Sequence, residues 1–145
     1  MKLNKVAMAV ALTAAVTVDF GQVPVSLLQG GGQATETKNI ELQYCDTTIA
    51  SSAVVSYTPT SVNPNDPTLA AFTSGTASGA GIGLKDSASQ TVTWGAQTTP
   101  VTLVDGTNTI PFVAFLKAEA AASGSTTTVT AGAFQSTINF TIDYQ

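Results

Sequence analysis

Histidine and arginine are both missing from this chain of 145 residues, and cysteine occurs once, at Cys45. Without His there is no Ser-His-Asp or Cys-His arrangement, no imidazole metal ligand and no imidazole acid–base catalysis. Without Arg, and with a net charge of −4, the electrostatic footprint for nucleic acid is missing. A single Cys makes neither a zinc–thiolate cluster nor an internal disulfide. Charged residues are scarce at 10%, which disfavours amphipathic helices, whose solvent faces need Glu, Lys and Arg. No Walker A or G-x-G-x-x-G pattern is present. The chain therefore reads as a non-enzyme with no cofactor and no metal.

What is present suits strands and turns. Hydrophobic residues make up 43%, too many for a disordered acidic tail, and Thr, Ser, Gly and Ala dominate the remainder. The length fits one domain. At the start, Met1-Lys2-Leu3-Asn4-Lys5 is a short positive segment, and Val6 to Val16 is an almost unbroken apolar run. That layout matches a secretory signal, with Thr13-Ala14-Ala15 as the candidate cleavage region. A buried helix or a membrane anchor is the alternative, but the run is short for the ~30 Å of a bilayer core. The expected division is an export segment over 1–18 and a domain over 19–145.

From Asp19 onward, short β-like segments alternate with turn residues, the pattern of a sandwich. Phe20 to Leu28 reads as extended, interrupted by Pro24. Lys38 to Tyr44 alternates, with Ile40, Leu42 and Tyr44 on one face. Further strands are predicted at Ala53 to Tyr57, Gly81 to Leu84, Thr91 to Trp94, Val101 to Val104 and Thr109 to Lys117. Asn63-Pro64-Asn65-Asp66-Pro67 reads as a loop, and Asp46, Asp66, Asp86 and Asp105 as residues that bend and cap turns. Trp94 and Tyr57 are candidate core aromatics, or else a platform for stacking on sugar. Asn139-Phe140-Thr141 matches a glycosylation sequon but lies inside a strand.

The last fourteen residues are the most informative. Ile138, Phe140, Ile142 and Tyr144 fall at period two, Phe134 continues the register upstream, and Thr137, Asn139, Thr141 and Asp143 occupy the other face. Such a segment is either the final core strand of a complete sandwich or an edge left open for another chain.

This segment resembles the C-terminal signature of pilus subunits of the chaperone–usher pathway: Gly132 fourteenth from the end, a penultimate Tyr144 and alternating hydrophobics between. Three other stretches are similar to the major fimbrial subunits of type 1 and P pili. They are Asp19-Phe20-Gly21-Gln22-Val23-Pro24, Asn39-Ile40-Glu41-Leu42-Gln43-Tyr44-Cys45-Asp46-Thr47 and Gly106-Thr107-Asn108-Thr109-Ile110-Pro111-Phe112. The resemblance implies an all-β, incomplete immunoglobulin-like sandwich that lacks its seventh strand. A periodic occupant would fill the gap: first a strand of a periplasmic chaperone, then an extension of a neighbouring pilus subunit after transfer at the outer-membrane usher. This is β-augmentation. Carried over, Gly132, Phe134, Ile138, Phe140, Ile142 and Tyr144 would line the groove, with Gly132 allowing close backbone approach. Four inserted apolar side chains at ~1.5–3 kcal/mol each contribute roughly 6–12 kcal/mol. A net domain stability of only about 5–15 kcal/mol makes such an occupant necessary.

The sequence departs from the family pattern in one place. The export-like run meets Asp19-Phe20-Gly21 almost directly, so the donor extension, the first strand and its Cys are expected to be absent. Cys45 would then lack its family disulfide partner, and reads as a small buried hydrophobe or as a thiol for an intermolecular bond. A chain of this kind would accept a strand but have none to give, ending a fibre. Three functions compete. The leading one is a structural subunit of a fimbria, exported through the periplasm to the cell surface and contributing to adhesion. The second is a minor or tip subunit that binds a host glycan; the resemblance implies no particular host receptor. The third is a secreted β-sandwich hydrolase, for which no motif places a carboxylate pair.

Overall fold

A computed structural model describes residues 10–11, 18–119 and 128–145. The order along the chain is β1 (Val10–Ala11), α1 (Val25–Gln29), β2 (Gln33–Cys45), β3 (Ser52–Pro59), β4 (Ala80–Lys85), β5 (Val101–Thr102), β6 (Gly106–Ala118) and β7 (Ile138–Tyr144). Two antiparallel sheets form, in the orders β1-β2-β6-β4 and β5-β3-β7. Their apolar faces meet in one sandwich, as period-two strands with one buried face require.

The long pair β2–β6 is the backbone of the first sheet, in unbroken register from Gln33↔Lys117 to Leu42↔Asn108. A shift between Leu42 and Cys45 then brings Cys45 opposite Gly106. Ile40 and Leu42 are fully buried beside Ile110 and Phe112 of β6. On the other flank of β6, Gly83 of β4 sits opposite Phe115. A Cβ there would collide with the Phe115 ring, so the pair needs glycine. In the second sheet, Ala53, Val55 and Tyr57 of β3 are buried against this core.

Several sequence expectations change. Phe20 to Leu28 is not extended throughout, because Val25–Gln29 turns into a short helix that buries Leu28. Pro24 suits that start: its φ is −64°, and a missing N–H costs nothing at a helix N-terminus. Thr91 to Trp94 makes no strand; only Thr91 bridges to Lys85, and the following residues turn at Gly95. The strand expected at Val101 to Val104 shortens to two residues, while β2 extends five residues upstream of Lys38. Val10–Ala11 pairs with Leu42 and Gln43, so a short strand lies beside β2 where none was expected. The rest of the export segment read over 1–18, apart from Val18, lies outside the described residues, as does most of the connection after Ala120.

Turn chemistry follows the expected logic. Asp46 accepts from the Thr48 hydroxyl at 2.6 Å and its N–H at 2.9 Å, and Asp66 accepts from Thr68 in the same way. Asp105 reaches across to the N–H and hydroxyl of Thr47, tying the β2–β3 turn to the turn before β6.

Candidate functional site

The site is built on β7. Its side chains alternate between half-buried (Ile138, Phe140, Ile142, Tyr144) and exposed (Asn139, Thr141, Asp143). β7 pairs with β3 from Ala53↔Tyr144 to Pro59↔Ile138, and among the described residues no strand pairs its other edge. The four inward side chains pack on the core without being sealed by it. A fully enclosed strand would bury them.

The backbone of β7 is divided in the same rhythm. Ser52 and Gln145 exchange both hydrogen bonds, at 3.0 and 2.8 Å, and eight residues on, the Thr60 N–H donates to the Thr137 carbonyl at 2.9 Å. Bonded and non-bonded pairs alternate in an antiparallel ladder. The pairs of Ile138, Phe140, Ile142 and Tyr144 with β3 are therefore non-bonded, and their N–H and C=O groups point to the open edge. The same four residues thus present apolar side chains inward and, outward, backbone groups that no strand among the described residues pairs. Pro59, opposite Ile138, is tolerated because its missing N–H would have pointed away from β7.

Phe134 departs from the expected register. β7 begins at Ile138, and the preceding segment forms no strand: it is held by isolated contacts, the bridge Ser74↔Gln135, the Ala77 N–H on the Ala133 carbonyl at 3.0 Å and the Ser136 hydroxyl on the Ala71 carbonyl at 2.8 Å. Phe134 is instead held by two rings, stacked on Phe72 at 5.0 Å and tilted against Phe20 at 6.3 Å. Here the groove ends in a cavity of about 80 Å³ lined by Val23, Leu28, Phe72, Val129, Gly132 and Phe134. Gly132 has φ +154° and lies so close to Thr76 and Ala77 that a Cβ would strike their backbone. Close approach is thus required at Gly132, against the 76–77 segment.

At the opposite end, burial pushes the Tyr144 hydroxyl above its ordinary pKa, with Cys45 beside it adding to the shift. Cys45 is a free, buried thiol at 5% exposure. Tyr57 lies in the core, 6.0 Å from the Phe112 ring, and Trp94 is half-buried against the same cluster. The two therefore form no exposed aromatic platform. Phe20 and Phe72 were not legible as site residues. Each is an isolated aromatic in a turn-rich segment, and only the folded chain brings both to Phe134. The arrangement is suited to holding an extended peptide, by backbone pairing on one side and apolar contact beneath.

Comparison with known proteins points in one direction. The model of the family described as "Fimbrial protein" matches residues 7–145, beginning inside the stretch read as an export segment. The chain is 52% identical over 131 residues to the major fimbrial subunit of Proteus mirabilis, covering 90% of this chain and 69% of that protein. It is 35% identical over 130 residues to the fimbria A protein of Serratia marcescens, covering 89% and 71%. Among solved structures, it is similar to the P pilus rod subunit PapA, with TM-score 0.73, 28% identity and coverage of 91% and 94%. A chaperone–usher pilus structure concerned with rod uncoiling matches with TM-score 0.74, 29% identity and coverage of 91% and 83%.

Proposed function

The chain belongs to the fimbrial protein family and is a structural subunit of a fimbria, and from that premise we propose that it joins its fibre by accepting a strand along β7. The observation that carries the proposal is the doubled role of Ile138, Phe140, Ile142 and Tyr144. Their half-buried side chains need a cover, and their backbone groups need partners. One inserted strand supplies both. The neighbouring pilus subunit is the lasting occupant. A periplasmic chaperone is the temporary one, and the outer-membrane usher is where the two exchange, on a route through the periplasm to the cell surface. The free chain would expose a sticky edge and an open apolar face, so it would be carried rather than released.

The test separates the two faces of one strand. Affinity-tagged chain is produced with a fimbrial chaperone, and the complex is recovered from the periplasm. Phe140→Asp and Ile142→Asp, each placing a charge inside the groove, should abolish co-purification. Asn139→Asp and Thr141→Asp, on the exposed face, should leave it intact. Equal loss from both faces would mean a folding defect, and intact complexes from all four would sink the groove reading.

A further inference from the structure

The groove has a second wall, and it is not apolar throughout. Ala34, Glu36, Lys38, Ile40 and Leu42 share one face of β2 by strand alternation, opposite Leu116, Ala114, Phe112, Ile110 and Asn108 of β6. All of those β6 partners are buried, so this face of β2 looks into the space between the sheets. Ala34 packs in the cluster that Phe134 and Ile138 join, and Cys45 in the cluster that Phe140, Ile142 and Tyr144 join. β2 and β7 therefore run along the same groove, and Glu36 and Lys38 fall in its Ala34 half, between Ala34 and the buried Ile40.

Both residues are only half-buried, although Ala114 and Phe112 beside them are 2% and 6% exposed. Among the described residues neither side chain makes a hydrogen bond or ion pair. Their partial exposure lets water reach the two charges, and among the described residues no strand lies over them. A strand laid over them would remove that water. Burying an unpaired carboxylate or ammonium under an apolar side chain is costly, whereas a side chain that bonds to both restores what water supplied.

Resting on the strand-acceptor reading above, we propose that Glu36 and Lys38 form a polar step in the groove that selects its lasting occupant. That occupant is a strand of a neighbouring subunit whose inward row is apolar except for one neutral hydrogen-bonding residue, Thr, Ser, Asn or Gln, seated over the pair. Neutrality follows from one acid beside one base, which together favour a group that donates and accepts. A temporary occupant can leave the step wet; a permanent seal cannot.

The experiment uses the full chain recovered in complex with a fimbrial chaperone, and short synthetic peptides with alternating inward and outward residues that displace the chaperone. One peptide is apolar at every inward position. In the others a single Thr or Asn moves through the inward row in turn. Binding is followed by fluorescence anisotropy. One placement should bind about tenfold tighter than the all-apolar peptide. With Glu36→Leu and Lys38→Leu combined, the all-apolar peptide should become the tightest. Tight binding that is indifferent to placement, or a preference that survives the double substitution, overturns the polar step but leaves the strand-acceptor reading standing. Failure of every peptide to bind overturns both.

Discussion

Single residues hold this fold together where its loops are long. Asp86 is 8% exposed and carries four hydrogen bonds. One carboxylate oxygen accepts from the N–H of Ala88 and Gln90, the other from the N–H and hydroxyl of Thr99. Burial by itself would raise its pKa, but these bonds outweigh burial and hold the carboxyl below its ordinary value. The sign of the linkage follows. A folded-state pKa below the unfolded one adds stability above about pH 4, and that stability disappears as pH falls through the lowered value. Asp86→Ala leaves three backbone N–H groups without their acceptor and should cost about 1–3 kcal/mol at neutral pH. Urea midpoints measured from neutrality down to about pH 3 should converge for the parent and variant, because acid removes from the parent what the substitution has already removed. A constant gap between the two curves would contradict this assignment.

At the level of elements, strands with strict alternation were legible and everything made by contact between distant segments was not. β2, β6 and β7 announce themselves because Ile40 and Leu42, Ile110 and Phe112, and Ile138 to Tyr144 repeat at period two. α1 does not, because five residues hold little more than one helical turn and Pro24 looks like an interruption until it is seen as a helix start. Thr91 to Trp94 has strand-like composition but finds only one bridge, since the turn held by Asp86 and the turn at Gly95 leave it no length to pair. The apolar face of β7 could be anticipated. The cavity beside Phe134 could not, because Val23, Phe72 and Val129 arrive from three separate stretches. β7 also carries a prediction of its own. In the unoccupied chain, the amides of Asn139, Thr141 and Asp143 should exchange slowly with solvent deuterium because they bond to β3. Those of Phe140, Ile142 and Tyr144 should exchange fast. Addition of a complementing strand should protect the second set and leave the first unchanged. Uniform protection along β7 before addition would show that its edge is already paired.

For the molecule as a whole, a family of structural subunits makes sense of a surface with few charges and a chain without His or Arg. The strand acceptance proposed for it draws mainly on backbone groups and apolar pockets, which need neither His nor Arg. Among the described residues the interior contains two hydrophobic clusters, one around Ile40, Leu42 and Phe112, the other around Leu28, Ile82 and Leu116. Phe20 and Ile138 pack against both. That shared packing bears on cooperativity. Neither end of the sandwich can loosen without withdrawing support from the other, so the occupied domain should melt in a single calorimetric transition whose van't Hoff and calorimetric enthalpies agree. Phe20→Ala would cut one of the two links, and a broadened melt with unequal enthalpies is the expected outcome. Because Ile138 is also the first residue of β7, the strand proposed to accept a partner, the remaining link runs through that proposed site. A strand seated there would act on both halves at once, making the subunit a single mechanical unit under tension along the fibre.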